Sequence, residues 1–173
     1  MGNEQLNLAV ADAGPLIHLA EIGCLSLLSI FDHLHIPEAV WFETVGLGRV
    51  FEHELMEKAH VQRHSLDGLA LNQFIEDNRL SFLQDGEKEG LFLCQQVNAS
   101  IILTDDLAVR KVSKNLQLIP VGSLGIIVKA YRQKLISYED AEHYIEALYD
   151  VSSLYVTRAI VELAVEQISN IKS

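Results

Sequence analysis

The chain has 173 residues, 49% of them hydrophobic, and carries 24 acidic against 13 basic side chains for a formal net charge of −11. That length suits a single domain with a substantial core. With no charged-then-apolar leader and no apolar run of about 18 residues, it reads as a soluble, cytoplasmic protein without a membrane partner. The acidic balance opposes broad binding to a polyanion, because such affinity comes from neutralised phosphates. Any nucleic-acid contact should therefore be local, or the acidic surface should meet a basic partner.

Short apolar runs alternate with helical stretches, the pattern of βαβ units on a parallel sheet. Leu6–Ala11 reads as the first strand, and Leu16–Phe31 as a helix broken near Gly23. Leu34–Ile36 is a short strand stopped by Pro37, which also sits just before the first turn of a helix over Glu38–Val45. Val50–Ala59 is helical and His60–His64 strand-like, while 65–83 holds only a helical piece around Leu69–Glu76. Asp85 is placed to cap a helix from Gly86 to Val97, with Lys88 at its third position. Ser100–Thr104 is the strongest strand, followed by a helix over Asp106–Asn115, a strand over Leu118–Val121 and a helix over Leu124–Gln133. Beyond Leu135 the strand-like runs stop. Ser137–Tyr149 and Leu154–Ile171 read as helices, the first opened by Ser137 with Asp140 three residues on. The chain thus divides into an α/β core over 1–135 and a C-terminal helical extension over 136–173 within one domain.

Two of the strands end in aspartate: Asp12 after the first, Asp105 and Asp106 after the strongest. If these strands are parallel neighbours, the acids meet at the carboxyl edge of the sheet, where open α/β folds place their sites. Glu43 on the helix after Pro37 and Glu87 at the start of its helix, where the macrodipole favours an anion, are placed to join them. Two carboxylates repel by about 4 kcal/mol at 4 Å and an effective dielectric of about 20. Protons or a divalent cation make such a cluster tenable, and oxygen-only ligands suit Mg²⁺ or Mn²⁺.

The strings DAGPLIHLAEIGCLSLL, IPEAVWFE, DGEKEGLFL and IILTDDLAVRKVS, followed by VGSLGIIVKAYRQKLIS, run in order from Asn7 to Ser137. Together they resemble the PIN-domain family, and more closely its small prokaryotic branch related to VapC-type toxins. The resemblance implies a three-layer α/β/α sandwich around a parallel sheet and an Mg²⁺- or Mn²⁺-dependent ribonuclease. It assigns catalytic roles to Asp12, Glu43, Glu87 and Asp106, with Asp12 and Asp106 as the main metal ligands and Asp105 as a supplementary ligand or a residue supporting the ligands from behind. Thr104 matches the threonine of the family's T-x-D segment. Arg110 lies four residues after Asp106 on the same helix face, and Lys111 and Lys114 complete the one dense basic patch. With Thr104, these are the expected RNA and phosphate contacts. A small basic antitoxin and a second copy of the chain are the expected partners, the apolar C-terminal helices offering the surface for the latter. Two departures stand out: Gly14 where many relatives carry a small hydroxyl residue, and Glu87 where many carry Asp.

Other motifs lead nowhere. Cys24 and Cys94 lack ligand spacing and read as buried thiols. The HELME string at His53 puts Glu57 where a zincin needs its second histidine, and His33, His35, His60 and His64 read as structural or surface residues. Gly46 and Gly48 start a GxGxxG that Phe51 ends, and no GxSxG elbow is present. Two rival functions remain from the sequence: a catalytically weak PIN-like module that binds RNA or protein, and a phosphoacceptor or phosphatase built on Asp12.

Overall fold

The computed structural model describes residues 6–172. Five strands, β1 (Leu8–Ala11), β2 (His33–Pro37), β3 (Val61–His64), β4 (Ile101–Leu103) and β5 (Ile119–Val121), form one sheet. Every pairing is parallel and the spatial order is β3-β2-β1-β4-β5. The chain winds outward from β1 through β2 to β3, then returns to the other side of β1 as β4. The crevice beyond the ends of β1 and β4 is therefore the topological switch point of the sheet.

Successive residues along the two central strands serve opposite layers, as the period-2 pleat requires. Ala9, Ala11, Ile101 and Leu103 join one apolar cluster; Val10 and Ile102 join the other. The first cluster is closed by α1 (Ala13–Glu21), a 3₁₀ segment over Leu25–Ile30, α3 (Glu52–Lys58) and α7 (Ser123–Arg132). The second is closed by residues of α5 (Asp85–Val97) and α6 (Leu107–Asn115), with Phe74 and Ile75 of α4 (Gly68–Asn78) against it. Three layers result, as the resemblance implied.

The C-terminal helices α8 (Tyr138–Asp150) and α9 (Arg158–Lys172) do more than rest on this body. Ala141, Ile145, Leu148, Val161 and Ile168 are fully buried in the same cluster as Ala9 and Ala11. Helix α9 starts four residues later than its apolar periodicity suggests, leaving 154–157 as a non-helical connection whose Leu154 and Val156 pack on the core. No helix among the described residues is long and apolar enough to cross a membrane. Both cysteines are buried free thiols, pushed up to about 12 by that burial.

Two local departures bear on the acids. The expected helix over Glu38–Val45 is only a short α-helix, α2 (Glu38–Trp41), which widens into a π turn over Phe42–Gly46 that carries Glu43. Such turns are recurrent near functional sites. At α5 the cap is Gln84, not Asp85, so Glu87 falls at the third helical position and its Oε2 accepts the Gln84 N–H at 2.9 Å. The reason is local satisfaction: Glu87 reaches back to an orphan backbone donor, which Lys88 cannot do. Asp85 instead faces Lys88 at 3.4 Å on the surface.

Gly86 marks where α2 and α5 meet. A Cβ there would lie 3.0 Å from Glu43 Oε1 and 3.1 Å from Val40 Cγ2. Gly86→Ala should lower the urea midpoint, a net loss of about 1 kcal/mol, because crowding outweighs the better helix propensity of alanine. Gly68→Ala, at the open start of α4 where nothing lies within 4 Å of the added Cβ, should be neutral or stabilising by the same assay.

Candidate metal-binding acid site

Asp12 and Thr104 directly follow β1 and β4, and the Asp12 N–H still bonds Leu103 O at 2.9 Å. Each then begins a different task. Asp12 is the N-cap of α1, its Oδ1 accepting the Ala13 N–H at 2.8 Å. Asp106 is the N-cap of α6, its Oδ1 accepting the Val109 N–H at 2.9 Å. The Thr104 hydroxyl lies between them. It donates to Asp12 Oδ2 at 3.0 Å and accepts the Asp106 N–H at 3.2 Å. Thr104 is fully buried, so this residue positions the two aspartates and is not exposed to a phosphate.

Asp12 is 8% exposed, and its carboxyl is pushed up to about 6, first by burial and then by the charges of Glu87 and Glu43. The bonds from Ala13 and Thr104 pull the other way. Glu43 is raised by burial and by Glu87, Asp85 and Glu89, with Arg49 opposing. Glu87 is raised by burial and by Asp106, against its bond from Gln84 and the charge of Lys88. The couplings thus run through all four acids. Among the described residues no lysine, arginine or histidine pairs with any of them.

The donor chemistry fits a hard dication. Asp12, Glu43 and Glu87 have raised proton affinities at a sheet edge, and no side-chain ion pair neutralises them or Asp106 among the described residues. In this arrangement no three acidic or imidazole groups among the described residues converge into a closed coordination set.

Asp105 behaves differently. Its Oδ1 accepts the Ser123 N–H at 2.7 Å, and its Oδ2 accepts the Ser123 hydroxyl at 2.6 Å and meets His18 Nδ1 at 2.7 Å. The carboxylate ties the end of β4 to the start of α7 and to α1, and most of its lone pairs are used. Gly122 permits this docking, since a Cβ there would stand 2.7 Å from Asp105 Oδ1. Of the two roles expected for Asp105, these contacts fit the supporting one: it is a brace. Its two partners, His18 and Ser123, have no motif in the sequence; their only signal is the VGSLG string that opens α7. Gly14 borders this brace, with an added Cβ at an ordinary 3.5 Å from His18 Cε1, so a serine would fit.

Arg110 stays with the site, its guanidinium 3.4 Å from Thr104 O. Lys111 lines a separate depression with Leu80 and Phe82, and Lys114 is in the last turn of α6, away from its capped start. The structure does not gather the three cations of α6 into one patch. His35 is a structural histidine: its Nδ1 lies 2.8 Å from His64 Nε2, and burial, with the charges of His64 and His33, lowers it to about 4.

An open parallel sheet with helices on both faces and a set of buried and half-buried acids at its switch point defines an α/β protein of nuclease-type fold. A family model described as PIN domain matches residues 8–170, and the chain belongs to that family. No curated protein and no solved structure matches the chain.

The proton affinity of Asp12 has a thermodynamic consequence. Its folded value of about 6 exceeds the ordinary 3.8, so the folded state holds the proton more tightly. Asp12 therefore opposes folding by up to about 3 kcal/mol above pH 6, a penalty that shrinks as pH falls towards 4. Asp12→Asn should raise the melting temperature at pH 8, without divalent ions, by up to roughly 6–12 °C. Thermal denaturation at pH 8 and at pH 4.5 checks the sign, since the gain should narrow at the lower pH.

Proposed function

We propose that this protein is an Mg²⁺- or Mn²⁺-dependent endoribonuclease that hydrolyses RNA phosphodiesters. The observation that carries the reading is the Thr104 hydroxyl holding Asp12 and Asp106 together at the switch point, beside Glu43 and Glu87. Asp12 and Asp106 would hold the metal, and Glu43 and Glu87 would complete the pocket or orient water. Bound there, the ion supplies Lewis-acid polarisation of a phosphoryl oxygen and a water of low pKa. The protein's own contribution is orientation. Thr104 fixes the aspartates, Asp105 braces the two strand ends through Ser123 and His18, and Arg110 stands beside Thr104 as a cation for phosphate.

The biological setting we infer is the toxin half of a toxin–antitoxin pair, or a relative of one, acting in the cytoplasm. The net charge of −11 favours a small antitoxin with a basic face. Leu163 and Ile171, exposed on α9, offer apolar surface to a second copy of the chain. Gly14, which supplies no hydroxyl beside Asp105, favours the second reading, a weakly catalytic module that binds RNA or protein. A phosphoacceptor role fits Asp12 less well, because both its oxygens accept hydrogen bonds and the residue is nearly buried.

Purified protein with Mn²⁺ should cut single-stranded RNA, and chelation should stop it. Asp12→Asn and Asp106→Asn should each reduce cleavage at least ~100-fold, the scale of losing a group that acts on the transition state. Bound but uncut RNA, with divalent ion bound, would move the assignment to the binding module.

A further inference from the structure

The acid site has a neighbour of opposite character. A pocket of about 720 Å³ opens between the first turn of α6, the end of β5, α7 and the connection into α9. Arg110, Lys129 and Arg132 line it, with Leu124, Tyr155 and Ile160 supplying apolar surface. In a chain with only 13 basic residues against 24 acidic ones, three cations here invert the local charge. The single carboxylate in the lining, Asp105, is already committed to Ser123 and His18. None of the three cations has a carboxylate partner among the described residues.

Tyr155 is 93% exposed, an aromatic ring left standing in water. The chain just before it is held nonetheless. The Glu21 carboxylate accepts the Ser153 N–H at 2.7 Å and the Ser153 hydroxyl at 2.8 Å, and Leu154 N–H bonds the Ser152 hydroxyl at 3.2 Å. The ring is therefore presented from a segment anchored just before it at Ser153 and packed on the core through Leu154 and Val156. The pocket lies beside the acid site: Arg110, in its lining, donates to Thr104 O at 3.4 Å, and Asp105, also in its lining, precedes Asp106 in the chain.

We infer that this pocket is a subsite for one unstacked nucleotide of single-stranded RNA, next to the phosphodiester at the acid site, an inference that rests on the ribonuclease reading. Tyr155 is the stacking platform for the base, and Arg110, Lys129 and Arg132 take the flanking phosphates. Aromatic stacking with a basic track is how single strands are held without sequence readout. A duplex keeps its bases stacked and paired, and cannot offer one to a concave pocket. An acidic peptide would satisfy the cations but leave the aromatic platform unused.

The test measures binding apart from cleavage. Asp12→Asn protein in chelator is titrated against a short fluorescein-labelled single-stranded RNA by fluorescence anisotropy at several salt concentrations. Adding Tyr155→Ala or Arg132→Ala, both at exposed positions, should each weaken binding about tenfold. Only Arg132→Ala should flatten the salt dependence, by about one unit of slope. A duplex of the same sequence should bind more weakly than the single strand. Binding through Tyr155 and Arg132 by a protein whose wild type never cuts RNA would sustain the subsite and remove the nuclease. RNA cut normally, with binding and KM indifferent to both substitutions, would remove the subsite alone. No RNA binding, equal binding of polyglutamate, or a dimer that Tyr155→Ala dissolves without altering RNA affinity would each overturn the inference.

Discussion

The bond from the Thr104 hydroxyl to Asp12 joins positions 92 residues apart, and the site is organised around it. It exists because β4 lies beside β1 in parallel register, Leu103 against Ala11, so that the next residue on each strand emerges at the same edge. A threonine at that point has one proton to give and lone pairs to receive. It gives the proton to the aspartate of one strand and receives the N–H of the aspartate that follows the other. Both aspartates spend one oxygen capping a helix. Their carboxylates are consequently held on both sides of the crevice before any ligand arrives, with little left to reorganise.

Holding these acids is costly to the fold. Asp12 is nearly buried, and the charges of Glu43 and Glu87 act on it at neutral pH. The rest of the protein offsets this with a sheet buried on both faces and a C-terminal helical pair that shares its core. Retaining a destabilising charge at a sheet edge is typical of functional sites, where stability gives way to chemistry. The brace at Asp105 belongs to the same logic. It spends a carboxylate on Ser123 and His18, fixing the loop after β4 without adding another unneutralised acid to the crevice.

Much of this was legible from residue order. The apolar runs ending in Asp12 and Asp105–Asp106, the proline before the helix of Glu43 and the strand at Ser100–Thr104 follow from local periodicity and breaker residues. Local patterns were less informative at helix ends. Glu43 sits on a π turn, which no periodicity announces, and the cap of α5 is Gln84 because Glu87, three residues on, can reach back to it. Lys111 and Lys114 read as one patch with Arg110 because they share a short helix, yet consecutive helical positions face different directions and only Arg110 meets Thr104.

By itself the sequence determined which segments are strands and helices, and which carboxylates terminate the central strands, because those properties arise from hydrophobic periodicity and local backbone chemistry. Only the tertiary structure decided that Thr104 would bridge Asp12 and Asp106, and that His18 and Ser123 would take Asp105 out of the crevice. It likewise brought Tyr155, from the connection into α9, to the pocket lined by Arg110 and Arg132. Those pairings depend on strand order and on how the last two helices bury their apolar faces. Both are set by long-range packing, which leaves no local pattern to read.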